Sequence, residues 1–122
     1  MKKSGEGFQR GKVLTISATH FVHDCYTSFL APALPLIIDK LGISYGMVGL
    51  LAVIQRIPSL FNPLIGIIAE RPVMRYMVIF SPALTAVFMS LIGIAPGYVF
   101  LAVLLFFSGI SSTLWHLSLI HI

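Results

Sequence analysis

His20, His23, Asp24 and Thr27 recur at i, i+3, i+4 and i+7, so a helix would carry all four on one face. A carboxylate beside two imidazoles can hold and pass protons or orient a polar ligand. Further on, Arg56 stands alone in the apolar run 44–69, with Gln55 next to it. An unpaired charge at the centre of a bilayer costs at least ~2.5–3.5 kcal/mol, so both charges should face a bundle interior or a water-filled cavity. Asp24 lies about 12 residues into its apolar run, roughly 18 Å along a helix with a 1.5 Å rise. Arg56 lies about 12 residues from the opposite end of the next run, and across a core of about 30 Å these depths overlap. Asp24 and Arg56 are therefore expected to pair. Two readings follow. Either His20, His23, Asp24, Gln55 and Arg56 line a substrate or proton pathway, or the ion pair only fixes helix packing.

Other chemistry has less to stand on. His20, His23 and Asp24 could in principle hold zinc, but the other apolar runs add no cysteine or further carboxylate, and no metal or other cofactor is expected. Cys25 is the single cysteine, so no internal disulfide forms. There is no Gly-rich phosphate loop, no nucleophile triad and no carboxylate pair, and the chain does not read as an enzyme. Asn62 is expected to bond between helices or to cap the break at Pro63. Ser108, Gly109, Ser111 and Ser112 form a small-residue face for close packing. Trp115 reads as an interfacial anchor or a pocket wall, His116 has no assigned role, and Met74, Met77 and Met89 read as apolar filling.

The elements that must position these groups follow from composition. The 122 residues are 57% hydrophobic and 10% charged, against about 25% charged in a typical soluble domain. Such a chain reads as an all-α integral membrane protein, with the lipid bilayer as its partner. The net charge of +4 sits at the ends of apolar runs, where it reports topology and gives no reason to expect nucleic acid. Lys2, Lys3, Arg10 and Lys12 precede an apolar stretch, but His20, His23 and Asp24 interrupt it and no small-x-small cleavage site follows. An uncleaved first span is expected.

Residues 1–11 form a polar tail, and four spans are expected at about 12–38, 44–69, 75–94 and 98–116, each near the ~20 residues a bilayer requires. Pro32 and Pro35 should kink the first, Pro58 and Pro63 lie in the second, and Pro82 lies in the third. Turns are expected at 39–42, at 70–74 and at Pro96-Gly97. Lysine and arginine favour the tail and the second turn, which places both in the cytoplasm of a multi-pass protein of the inner (plasma) membrane. The last span lacks a positive flank, and 117–122 (LSLIHI) resembles a translated sequencing adaptor. The authentic residues are expected to end near His116, with 117–122 non-native.

The run Gly66 to Arg75 (GIIAERPVMR) resembles the loop signature of the major facilitator superfamily, Gly-x-x-x-Asp-Arg/Lys-x-Gly-Arg-Arg/Lys. Gly66, Arg71 and Arg75 match, Glu70 replaces the aspartate, and Val73 and Met74 depart from the Gly-Arg pair. The opening His20, His23, Asp24, Tyr26, the Leu34-Pro35 pair, the run Asn62 to Gly66 and the segment Gly109 to His116 are similar to the fosmidomycin-resistance-like branch. The resemblance implies a twelve-helix secondary transporter of which these are the first four helices. It implies a small-molecule substrate, protons, efflux by alternating access, a gating loop at Gly66, Glu70, Arg71 and Arg75, and eight further helices as partners. In that fold the first and fourth helices line the cavity. The arginine that drug/proton antiporters carry early in the fourth helix corresponds to Leu105 here. Three alternatives remain: a complete four-helix small multidrug exporter, an intramembrane His/Asp enzyme, and a structural membrane subunit.

Overall fold

A computed structural model describes residues 10–69 and 74–119. Among these residues every regular element is helical: α1 (Arg10–Ser28), α2 (Leu30–Leu41), α3 (Tyr45–Arg56), α4 (Asn62–Ala69), α5 (Met74–Leu91) and α6 (Tyr98–Leu119), with 3-10 turns at Ile57–Phe61 and Ile92–Ile94. Glu70 and Arg71 of the loop signature lie outside the described residues. So do 120–122 of the tail expected to be non-native.

Three helical stretches are long and apolar enough to cross a membrane: Arg10–Leu41, Tyr45–Ile67 and Tyr98–Leu117. The third expected span survives as a shorter apolar helix, Ile79–Ile94. The outer surface agrees with this, since Tyr45 is 83%, Leu60 76% and Val99 75% exposed. A water-soluble surface does not present so continuous an apolar face. The helices are compatible with a membrane location.

Proline sets the breaks. Its ring clashes with the carbonyl four residues back and offers that carbonyl no N–H. Pro32 therefore acts on Ser28, where α1 ends, and the chain turns at Phe29 before α2 resumes. Pro35 is absorbed inside α2. Pro58 opens the 3-10 turn Ile57–Phe61, where the Ser59 hydroxyl donates to the Arg56 carbonyl at 2.7 Å. Asn62 caps no break by its side chain, because its buried Oδ1 has no hydrogen-bond partner among the described residues.

The first turn lies later than expected. Asp39, Lys40 and Leu41 stay helical, and Gly42 ends α2 at φ 60, where its N–H donates to the Ile38 carbonyl at 2.8 Å. Glycine takes this left-handed conformation without a Cβ penalty. Ser44 then caps α3, its hydroxyl accepting from Met47 N–H at 3.3 Å.

The central element is α6. It packs against α5, α3, α4 and the 3-10 turn at Ile57–Phe61. Leu101, Leu105 and Ser108 on it are almost fully buried. Gly109 explains how near α6 approaches its neighbour: a Cβ there would overlap the Gln55 carbonyl oxygen and lie 3.3 Å from Pro58 Cγ. Small residues that let two backbones meet are how apolar helices gain packing energy where no hydrophobic force acts between them. At the end of the bundle away from residue 10, Lys40 Nζ donates to the Gly93 carbonyl at 2.8 Å and Tyr98 Oη donates to the Met47 carbonyl at 3.0 Å. These two bonds tie α2 to the 3-10 turn that follows α5, and α3 to α6.

Candidate functional site

The polar face of α1 meets the second half of α6. The two helices run antiparallel there: His20 faces His116, and one turn along, His23 faces Ser112. His20 Nδ1 lies 3.3 Å from Asp24 Oδ2 across one helical turn. The His20 and His116 rings are 5.4 Å apart, as are those of His23 and His116, both edge to face. His23 Nε2 and Ser112 Oγ are 3.1 Å apart, and the His23 ring lies 5.9 Å from that of Trp115. Burial is graded across this cluster. His23 is 1% exposed, whereas the His20 and Asp24 side chains are 39% and 50% exposed. A buried imidazole thus sits behind an open imidazole–carboxylate pair.

Hydrogen bonds fix part of the chemistry. His116 Nδ1 donates to the Ser112 carbonyl at 2.8 Å. A carbonyl only accepts, so the proton of neutral His116 is on Nδ1 and the lone pair is on Nε2. Ser112 therefore holds two histidines at once, His116 through its carbonyl and His23 through its hydroxyl. The buried His23 Nδ1 has no hydrogen-bond partner among the described residues.

The five residues expected to form one pathway divide into two places. His20, His23 and Asp24 converge on α6 as described. Gln55 and Arg56 lie in an adjoining groove of about 530 Å³, lined also by Thr27, Ser28, Ser59 and Ser112. Gln55 is half-buried and its side-chain amide points toward Met89 Sδ, 4.0 Å away. The expected Asp24–Arg56 pair does not form. Asp24 pairs with His20, and exposed Arg56 has no ion-pair partner among the described residues. The reason is an offset along the chain: the groove that holds Arg56 is lined by Thr27 and Ser28 of α1, on the same face as Asp24 but a turn beyond it, and by Ala31 of α2, and not by Asp24. One turn is about 5.4 Å, which exceeds ion-pair range. Ser112 borders both places and joins them.

Of the loop signature, Gly66 is the last turn of α4 and Arg75 is in the first turn of α5. Leu105 is fully buried in the helical core. Trp115, which the sequence left between two roles, is a wall of the site, 6% exposed against His23.

Sequence reasoning missed His116 and Ser112 as members of the site. The signal was present. His116 and Ser112 are four residues apart and so share a helix face. The first and fourth spans of an up–down bundle run antiparallel, so a depth comparison of the kind made for Arg56 brings them level with His20 and His23. The chain matches no family model, and no significant match was found to a curated protein or a solved structure.

Proposed function

We propose that this chain forms the first four helices of a secondary transporter of the major-facilitator type, moving small molecules across the plasma membrane by proton-coupled efflux. The observation that supports this best is the junction of the first and last apolar helices, where His20, Asp24, His23 and His116 meet beside a groove holding Arg56. Ionisable groups inside apolar helices are costly, and they are retained where ions, protons or substrates pass.

In this reading the open His20–Asp24 pair takes up and releases the coupling proton, an imidazole nitrogen 3.3 Å from a carboxylate oxygen. His116 and His23 lie within one ring contact and extend the relay inward. Arg56 supplies the groove with a cation for a polar or anionic part of the substrate. Gly66, Glu70, Arg71 and Arg75 form the cytoplasmic gating loop, with the N-terminus on the same side. The eight further helices of such a fold supply the opposing wall, and alternating access arises from rocking of the two halves about a midplane site.

The test uses cells expressing the complete reading frame, challenged with a panel of toxic small molecules. Resistance to at least one compound should be lost with a protonophore and lost in Asp24→Asn at equal membrane abundance. Resistance that survives both treatments would overturn proton coupling through this cluster, and a panel without any resistance phenotype would count against efflux.

A further inference from the structure

We infer that His20, Asp24 and His116 form a binding site for a divalent transition metal of the zinc type. The proposal stands apart from the transport reading, because it concerns ligands already in place between α1 and α6. One ligand atom from each of the three residues lies within 4.8 Å of the other two. In a tetrahedral site with bonds of about 2.1 Å, ligand atoms lie about 3.4 Å apart. Side-chain rotation of roughly an ångström closes that difference.

Three features favour an ion over a merely polar cluster. First, His20 and Asp24 are at i and i+4, the spacing by which helical metal motifs place two ligands on one face. Second, His116 is already oriented. Its Nδ1–H is held by the Ser112 carbonyl at 2.8 Å, which leaves Nε2 as the donor atom. Metal-binding histidines characteristically give their other N–H to a backbone carbonyl or carboxylate in this way. Third, the site can be reached, since the His20 and Asp24 side chains are 39% and 50% exposed and His116 is exposed.

The donor set selects the ion. Two imidazoles suit zinc, copper, nickel and iron, whereas oxygen-only sites suit magnesium and calcium. Three protein ligands leave a fourth position for water or an exchangeable ligand, the arrangement of an open site rather than a closed structural one. His23 is not a ligand. Its Nε2 faces Ser112, and its ring packs on Trp115 behind the site. A bound dication also offsets the charge of Asp24, which Arg56 does not reach. Metal and proton compete for the same imidazoles, so occupancy and protonation exclude one another.

The full chain, purified untagged in lipid nanodiscs with Cys25→Ser to remove the thiol, is titrated with Co2+ and followed by its visible d–d absorption. The expected result is saturation at one equivalent, full displacement by Zn2+, and no displacement by Mg2+. His20→Ala, Asp24→Asn and His116→Gln should each weaken binding by at least about tenfold. The absence of saturable Co2+ absorption in the unsubstituted-ligand protein overturns the site. So does saturable binding that is unchanged in the His20→Ala/His116→Gln protein. Because the first criterion needs no ligand variant, misfolding of one cannot obscure the outcome.

Discussion

Replacing Gly109 by alanine tests the helix contact on which the arrangement of α6 depends. The added Cβ would overlap the Gln55 carbonyl oxygen, lie 3.0 Å from the carbonyl carbon and 3.3 Å from Pro58 Cγ. The obstacle is backbone, which cannot rotate away, so α6 and the last turn of α3 must part. Overpacking of this kind costs ~1–3 kcal/mol, and contact with backbone belongs at the upper end. Against it stands the gain of ~0.8–1.0 kcal/mol when alanine replaces a mid-helix glycine. Gly49, inside α3, has nothing within 4 Å of a built Cβ, so Gly49→Ala isolates that gain. The difference between the two variants should be about 2–3 kcal/mol, roughly 30–150-fold in the unfolding constant. Trp115 is the single tryptophan and is buried against His23, so its fluorescence follows loss of the α1–α6 contact during denaturation in lipid–detergent micelles. A Gly109→Ala protein as stable as Gly49→Ala would refute the close approach.

Ser112→Ala removes the hydroxyl facing His23 Nε2 and leaves both nitrogens of a buried imidazole without partners. The expected loss is ~1–3 kcal/mol by the same fluorescence assay, while His116 keeps its bond to the residue 112 carbonyl. Ser44→Ala deletes the cap on Met47 N–H, which should cost about 1 kcal/mol and speed hydrogen exchange of the first α3 amides without changing those of α6.

Helix class and the approximate limits of the apolar segments were legible because they rest on composition and on proline, both local. The break at Ser28–Phe29 follows from Pro32, and the 3-10 turn follows from Pro58. The role of Gly109 was legible too, as part of a run of small residues. What could not be read was register between helices. The expected Asp24–Arg56 pair had the right face but missed by a turn, since depth counted from uncertain helix ends carries that error. Asp24 instead found His20 on its own helix. His116 had no role in the sequence because its meaning depends on α6 lying antiparallel to α1. Turn limits also moved: Asp39 to Leu41 extend α2, because Gly42 is the residue able to end it in the left-handed region.

The candidate site requires α1 and α6 to meet at His20 and His116, and the proposed transport requires the bundle to be embedded in a membrane. Cross-linking in native membranes tests this directly, using His20→Cys with His116→Cys on a Cys25→Ser background and a short bifunctional thiol reagent. The expected result is an efficient intramolecular cross-link in protein that stays in the pellet after alkaline carbonate washing. Chain released into the supernatant would contradict the membrane assignment. Pelleted chain that cross-links no better than a pair with one cysteine moved to Tyr45, at the far end of the bundle, would contradict the site.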